Sequence, residues 1–376
     1  VRSQTLFDSF LMAGFECSTQ LRRDGRRLDL LAATSHDRLA VEDYRRVGRL
    51  GLRTVRDGLR WHLIEPGAPG HYDWTSFVPM LRAAEQARVQ VIWDLLHYGW
   101  PDGLPFWEPV FVDRFAKFAA SVASLVRDES DAVPVYSVVN EISFWAWAGN
   151  TRKFHPLGRG KGDAIKRQLV RATIAAIEAI RSVDARARFV QVDPLINVVG
   201  GGYNELQFAA WDMLAGALEP GLGGSPHYLD IVGVNYYPDN QWFLKGSTIP
   251  LGHACYRPFR EMLADVAQRY LRPVLVAETG AEGSARTAWL FYVAGEVRAA
   301  IEAGVPVEGI CLYPIIDYPG WEDDRPCDVG LMGVADPQGQ RSVYQPLAEE
   351  IQRQQLLFAP KERSRPTLRA VAGRAG

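Results

Sequence analysis

The sequence predicts an α/β fold, a (β/α)8 TIM barrel, and three observations carry that prediction. Short apolar or β-branched runs alternate with longer amphipathic stretches along nearly the whole chain. The strand–helix unit recurs about every forty residues, roughly eight times, as a closed parallel barrel requires. Polar residues interrupt the apolar runs near their C-terminal ends, the face on which such barrels carry their chemistry. An open doubly wound sheet is the competitor. It usually shows a G-x-G-x-x-G turn after the first strand, and none follows Cys17.

The strand candidates, in order, are 10–17, 53–59, 89–96, 133–139, 188–192, 229–236, 273–277 and 309–316. Between them the clearest helices are 38–50, 77–87, 111–127, 164–183, 258–270 and 287–303, with apolar residues at three- and four-residue spacing. No composition break marks a second domain, so 1–358 reads as one barrel. The basic segment 150–162 (NTRKFHPLGRGKG) reads as a loop excursion, and the Arg- and Pro-rich tail 359–376 as disordered.

Composition narrows the function. The 376 residues carry 42 Lys plus Arg against 44 Asp plus Glu, a net charge of -2, which gives no reason to expect a nucleic-acid or membrane partner. No apolar run approaches the roughly 18 residues a membrane span needs. The first fifteen residues lack a basic region followed by an apolar stretch, so no signal peptide is expected. Cys17, Cys255, Cys311 and Cys327 are scattered with no C-x-x-C pair, which points to free thiols in a reducing, cytoplasmic compartment. Oligomeric state leaves no signature.

The strand ends hold the chemistry. Strand one ends in Glu16 and leads to Gln20; strand two carries Arg56 and Asp57; strand three has Asp94 and ends at His97-Tyr98. Strand four ends at Asn140-Glu141, strand five at Asp193, strand six at Asn235-Tyr236-Tyr237, strand seven at Glu278, and strand eight at Tyr313 and Asp317. Glu141 and Glu278 terminate strands buried on both sides, on opposite sides of the barrel mouth. Two facing carboxylates serve glycoside hydrolysis, one protonated to donate to the leaving oxygen and one ionised to attack. Arg56 beside Glu278 would hold it ionised, while Asn140 beside Glu141 would orient a sugar without adding charge. Aromatics crowd the same loops: Tyr98, Trp100, Trp107, Phe144, Trp145, Trp147, Tyr237, Trp242, Phe243, Tyr313, Tyr318 and Trp321. Sugar rings pack their C–H faces on such planes and hydrogen-bond at the edge. Metal chemistry is disfavoured: the seven histidines are dispersed, and no H-x-H stands at the end of strand one. No G-x-S-x-G elbow or P-loop is present.

These strand ends resemble the retaining β-glycosidases of clan A, and most of all glycoside hydrolase family 1, from about Gly14 to Val334. The resemblance rests on ordered motifs: VRDGLRW and HLIEP on strand two, LLHYGWP on three, VVNE on four, GVNYY on six, AETG on seven, LYPIID and YPGW on eight. It implies Glu141 as general acid/base and Glu278 as nucleophile, with Arg56 and Tyr237 holding the nucleophile. It further implies a glycone subsite lined by Gln20, His97, Asn140, Asn235 and Trp321, and no metal or organic cofactor. Ile142 stands where the family has Pro, Thr279 where it has Asn, Tyr313 where it has Trp, and Gly320 where it has an acidic residue gripping distal hydroxyls. The first motif is one residue short before Gln20. The loop WEDDRPCDVG lacks the Ser/Lys arrangement of the phospho-sugar branch. The expected function is therefore a retaining β-glycoside hydrolase acting on a carbohydrate. The alternatives are a transglycosidase with the same machinery, an inactive carbohydrate-binding barrel, and a metal-dependent barrel hydrolase.

Overall fold

The computed structural model describes residues 6–151, 154 and 157–359. Eight parallel strands close into a barrel in chain order: β1 (Leu11–Gly14), β2 (Thr54–Gly58), β3 (Gln90–Asp94), β4 (Val135–Ser137), β5 (Arg188–Pro194), β6 (Ile231–Asn235), β7 (Val274–Thr279) and β8 (Val307–Leu312). β8 pairs back onto β1, with Leu11 opposite Ile310 and Ala13 opposite Leu312, so no strand edge remains free in the barrel. The principal helices are α1 (His36–Arg49), α2 (Val78–Ala87), α3 (Pro109–Glu129), α4 (Ile142–Asn150), α5 (Gly162–Val183), α6 (Ala209–Ala215), α7 (Phe259–Tyr270), α8 (Ala285–Glu302) and α9 (Gln345–Phe358).

Period-two alternation sorts the strand side chains into two cores. Met12, Ile92, Val135, Val190, Val192, Ile231, Leu275, Ala277, Cys311 and Tyr313 fill the barrel interior, joined by Phe7 from the segment before β1. The intervening residues, such as Ala13, Val55, Trp93, Val232, Val234, Val274 and Val276, meet the buried faces of the helices. Burying one Val, Leu or Ile contributes about 1.5–3 kcal/mol, so the two cores together hold the strand ends in place. Gly14 is required by packing: a Cβ there would lie 2.1 Å from Tyr313 Cδ2. Gly58 likewise gives room to Cys17, whose Sγ would lie 2.4 Å from an added Cβ.

All eight expected strands are present, and they differ from expectation mainly at their ends. The first stops at Gly14 rather than 17, because the chain turns there to carry Glu16–Gln20 along the mouth. The eighth stops before Tyr313-Pro314, since proline has no N–H for the ladder. The seventh runs on to Thr279. The six expected helices are found within two residues at each end. α4, α6 and α9 lie outside the six expected helices. α4 (ISFWAWAGN) has no polar face and α6 spans only seven residues, so neither shows helical periodicity. Residues 360–376 of the expected tail and four residues of the basic loop, 152, 153, 155 and 156, lie outside the described residues.

Candidate active site

Two backbone irregularities place the two glutamates. Against β6, Val234 faces Val276 and Asn235 faces Glu278; against β8, Ile310 faces Val276 and Leu312 faces Thr279. Both ladders thus skip one residue of β7, which defines a bulge at its C-terminal end. Ala277 packs into the barrel interior, and strict alternation would turn the next side chain outward. The bulge turns Glu278 inward as well, onto Arg56. Thr279 takes the outward place: its hydroxyl donates to Tyr236 O at 2.7 Å and accepts from Trp289 Nε1 at 2.9 Å. That anchoring gives the departure at Thr279 a structural role. Glu141 reaches the mouth differently, from a left-handed backbone (φ 50°, ψ 62°) between β4 and α4. Its N–H donates to Val192 O at 3.0 Å, and its carbonyl accepts from Trp145 N at 2.9 Å.

Arg56, fully buried, organises the floor. Nη1 donates to Glu278 Oε1 at 2.6 Å, Nη2 to Asn140 Oδ1 at 2.7 Å, and Nε to Asp94 Oδ1 at 3.1 Å. With Oδ1 accepting from Arg56, the Asn140 amide presents Nδ2 to His97 Nε2 at 2.9 Å and to the Tyr98 hydroxyl at 3.1 Å. His97 then carries its proton on Nδ1, which lies 3.0 Å from Asp94 Oδ2. Arg56, Asn140, His97 and Asp94 form a closed hydrogen-bonded ring beneath the glutamates. Glu278 Oε2 accepts from Tyr237 OH at 2.9 Å. Glu141 accepts from Asn235 Nδ2 at 2.8 Å on Oε1 and from the Tyr98 hydroxyl on Oε2.

Burial raises the pKa of both glutamates above the usual carboxylate range. On Glu278 the Arg56 guanidinium pulls the other way; on Glu141 the opposing contacts are the neutral donors Tyr98 and Asn235. The contact expected between Arg56 and Glu278 is present, and the guanidinium opposes the burial that raises the carboxyl. Asp193, behind Glu141, is pushed up to about 7 by burial, and its charge raises Glu141 further.

The expected site residues fall into three groups. Arg56, His97, Asn140, Asn235, Tyr237, Glu141 and Glu278 are joined by the hydrogen bonds above. Tyr313 lies below them in the interior core, with Arg56 5.3 Å over its ring and His97 stacked parallel at 6.1 Å. Trp321 packs on Tyr98 at 5.5 Å, whereas the Gln20 side chain is buried with no hydrogen bond to either glutamate among the described residues. Three further members stand outside the expected set. Tyr98, which stands at the end of strand three and among the stacking aromatics, bonds Glu141. Asp94 closes the ring, and Cys17, expected as an inert core thiol, lies 3.1 Å from His97 Nδ1. Their signal was the polar residue at a strand end, which does not say which way a side chain turns.

Of the loop aromatics, Tyr98, Phe144, Trp145, Phe154 and Trp321 form one cluster, with Phe154 of the basic loop inserted 4.8 Å from Tyr98. Trp242 and Phe243 lie instead on a short strand (Gln241–Phe243) paired with Asn197–Val199. Cys17, Asp94 and His97 bring three ligand-type atoms within 4.8 Å of one another. Arg56 Nη2 already lies 2.8 Å from Asp94 Oδ2, so the guanidinium supplies the positive charge there. All four cysteines are free, and no described helix is long and apolar enough to cross a membrane.

A (β/α)8 barrel with two buried carboxyl groups at its mouth is the class that fold and site define. No protein-family model matches the sequence, and no curated protein matches it. Solved structures do match in fold. The β-glucosidase of Thermotoga maritima in complex with deoxynojirimycin superposes with a TM-score of 0.75 at 15% identity, over 92% of this chain and 97% of that one. The β-glycosidase of the hyperthermophile Thermosphaera aggregans does so with a TM-score of 0.73 at 17% identity, over 93% and 96%. The T. maritima enzyme is a family 1 β-glucosidase, and this chain has the fold of that family.

Proposed function

We propose that the protein is a retaining β-glycoside hydrolase with Glu278 as nucleophile and Glu141 as acid/base. One observation carries the reading. Gln20 Oε1, Asn235 Oδ1 and Trp321 Nε1, all on residues expected to line a glycone subsite, are buried polar atoms without a hydrogen bond among the described residues. Leaving such atoms unpaired costs about 1–3 kcal/mol each, a cost that a polyhydroxylated ligand removes.

The chemistry follows from what holds each carboxyl. Glu278, fixed by Arg56 and Tyr237, attacks the anomeric carbon while the glycosidic C–O bond breaks. Glu141, surrounded by neutral donors and raised by burial, gives its proton to the leaving oxygen, which departs as the alcohol. In the second half, Glu141 takes a proton from water, the water oxygen attacks the anomeric carbon, and Glu278 leaves. The sugar is released with its β configuration retained. A sugar hydroxyl in place of water turns the same steps into transglycosylation.

The test is a panel of aryl β-glycosides with wild type and Glu278→Ala, the variant assayed with and without azide. Cleavage of one glycoside by wild type, loss in the variant and recovery with azide as the α-glycosyl azide is the expected result. A panel wholly inert with wild type overturns the reading.

A further inference from the structure

A third glutamate, Glu16, is buried at the mouth, and the hydrolytic steps do not use it. It follows β1, and its Oε1 accepts from the Ser18 N–H at 3.0 Å and from the Ser18 hydroxyl. Its other oxygen, Oε2, accepts no hydrogen bond among the described residues. Among the described residues, the charged and titratable groups facing it are His97, Glu278, Tyr98, Tyr237, Tyr313, Tyr318 and Cys17. Among these only His97 is basic. Its Nε2 lies 3.9 Å from Glu16 Oε1, beyond hydrogen-bond reach, and already accepts from Asn140. Arg56 is committed to Asp94, Asn140 and Glu278. Burial raises the Glu16 pKa, and the opposing His97 and Ser18 contacts all act from the Oε1 side, so among the described residues Oε2 is left for another partner.

We propose that Glu16 grips the sugar, accepting hydrogen bonds through Oε2 from glycone hydroxyls remote from the anomeric carbon. The proposal rests on the glycosidase reading above. In that reading the anomeric carbon lies between Glu141 and Glu278, and Glu16, which is hydrogen-bonded to neither of them, is left to the rest of the ring. Gln20 Oε1 and Trp321 Nε1, unpaired among the described residues, come from the neighbouring β1 and β8 loops. At position 320, where the resemblance placed an acidic residue, this chain has glycine. The strand-one carboxylate would supply from the other side the acidic group that this loop lacks.

The experiment pairs kinetics with thermal unfolding. Wild type, Glu16→Gln and Glu16→Ala are assayed on the cleaved aryl β-glycoside and on its 3-, 4- and 6-deoxy analogues. Glu16→Ala should lower kcat/KM on the parent at least about 30-fold, and only a few-fold on the analogue lacking the gripped hydroxyl. Glu16→Gln, which keeps an acceptor for Ser18 and removes a carboxyl whose ionisation burial disfavours, should unfold at or above the wild-type temperature. Equal losses on the parent and every analogue, or a clear fall in Tm for Glu16→Gln, overturn the assignment. Should wild type cleave nothing on the panel, the glycosidase reading fails by that result. The Tm comparison then still decides whether the Glu16 charge serves the fold or a ligand.

Discussion

Tyr98 and Glu141 both hold left-handed backbones, φ 68° and 50°, and the hydroxyl of the first donates to Oε2 of the second. Such conformations cost non-glycine residues about 1–2 kcal/mol each and persist where surrounding structure fixes them. Here the fixing groups are the β3–β4 ladder, the Glu141 N–H on Val192 O, and the aromatic cluster around the Tyr98 ring. Strain and hydrogen bond together aim the proposed proton donor.

Removing that hydroxyl tests the aim. The Tyr98 bond lowers the Glu141 pKa, so Tyr98→Phe raises it further. The alkaline limb of the kcat/KM profile should move to higher pH, with kcat/KM falling about 10-fold or more. An unmoved limb at full activity would detach Tyr98 from the acid.

Asp193→Asn should shift the same limb the opposite way. Burial pushes Asp193 up to about 7, and its negative charge raises Glu141. Asparagine keeps the acceptor for the Ser143 N–H at 2.9 Å but removes the charge. The Glu141 pKa then falls, and the alkaline limb moves to lower pH. Profiles for both variants on one substrate, displaced in the same direction, would contradict this account.

Arg56 carries a structural load as well as an active-site one. Arg56→Met leaves Asp94 and Glu278 buried without their cation, at a cost of about 3–5 kcal/mol. Urea unfolding at neutral pH should show that loss, and Arg56→Met/Glu278→Gln should recover part of it. Full additivity of the two substitutions would mean the pair is not coupled.

A second buried network makes stability pH-dependent. Burial pulls the His36 imidazole down, but Asp57 and Asp43 on its two nitrogens outweigh it, raising the pKa from 6.5 to about 9. A raised histidine contributes stability that is fully present below pH 6.5 and lost as pH rises through about 9. The shift corresponds to about 3 kcal/mol. The unfolding free energies of wild type and His36→Gln should therefore converge by up to that amount between pH 6 and 10. A constant gap across that range would show that His36 is buried neutral.

The sequence by itself determined the barrel, because strand and helix periodicities are local properties that repeat with the chain. It also determined which chemistry-bearing residues stand at strand ends, since apolar runs stop where charge begins. Arg56, Asn140, Asn235, Tyr237, Glu141 and Glu278 were all legible in that way, and the structure joins them. Direction and charge state were not legible. Glu278 faces inward only because β7 skips one residue in both of its ladders, a register fixed by β6 and β8. Glu141 stands where it does because its backbone is left-handed, against the preference of its own side chain. Whether Arg56 or desolvation governs Glu278 depends on how completely water is excluded, and only the closed barrel with its loops decides that. Pairing register, backbone strain and dielectric surroundings are properties of contacts between segments far apart in the chain, so no local pattern encodes them.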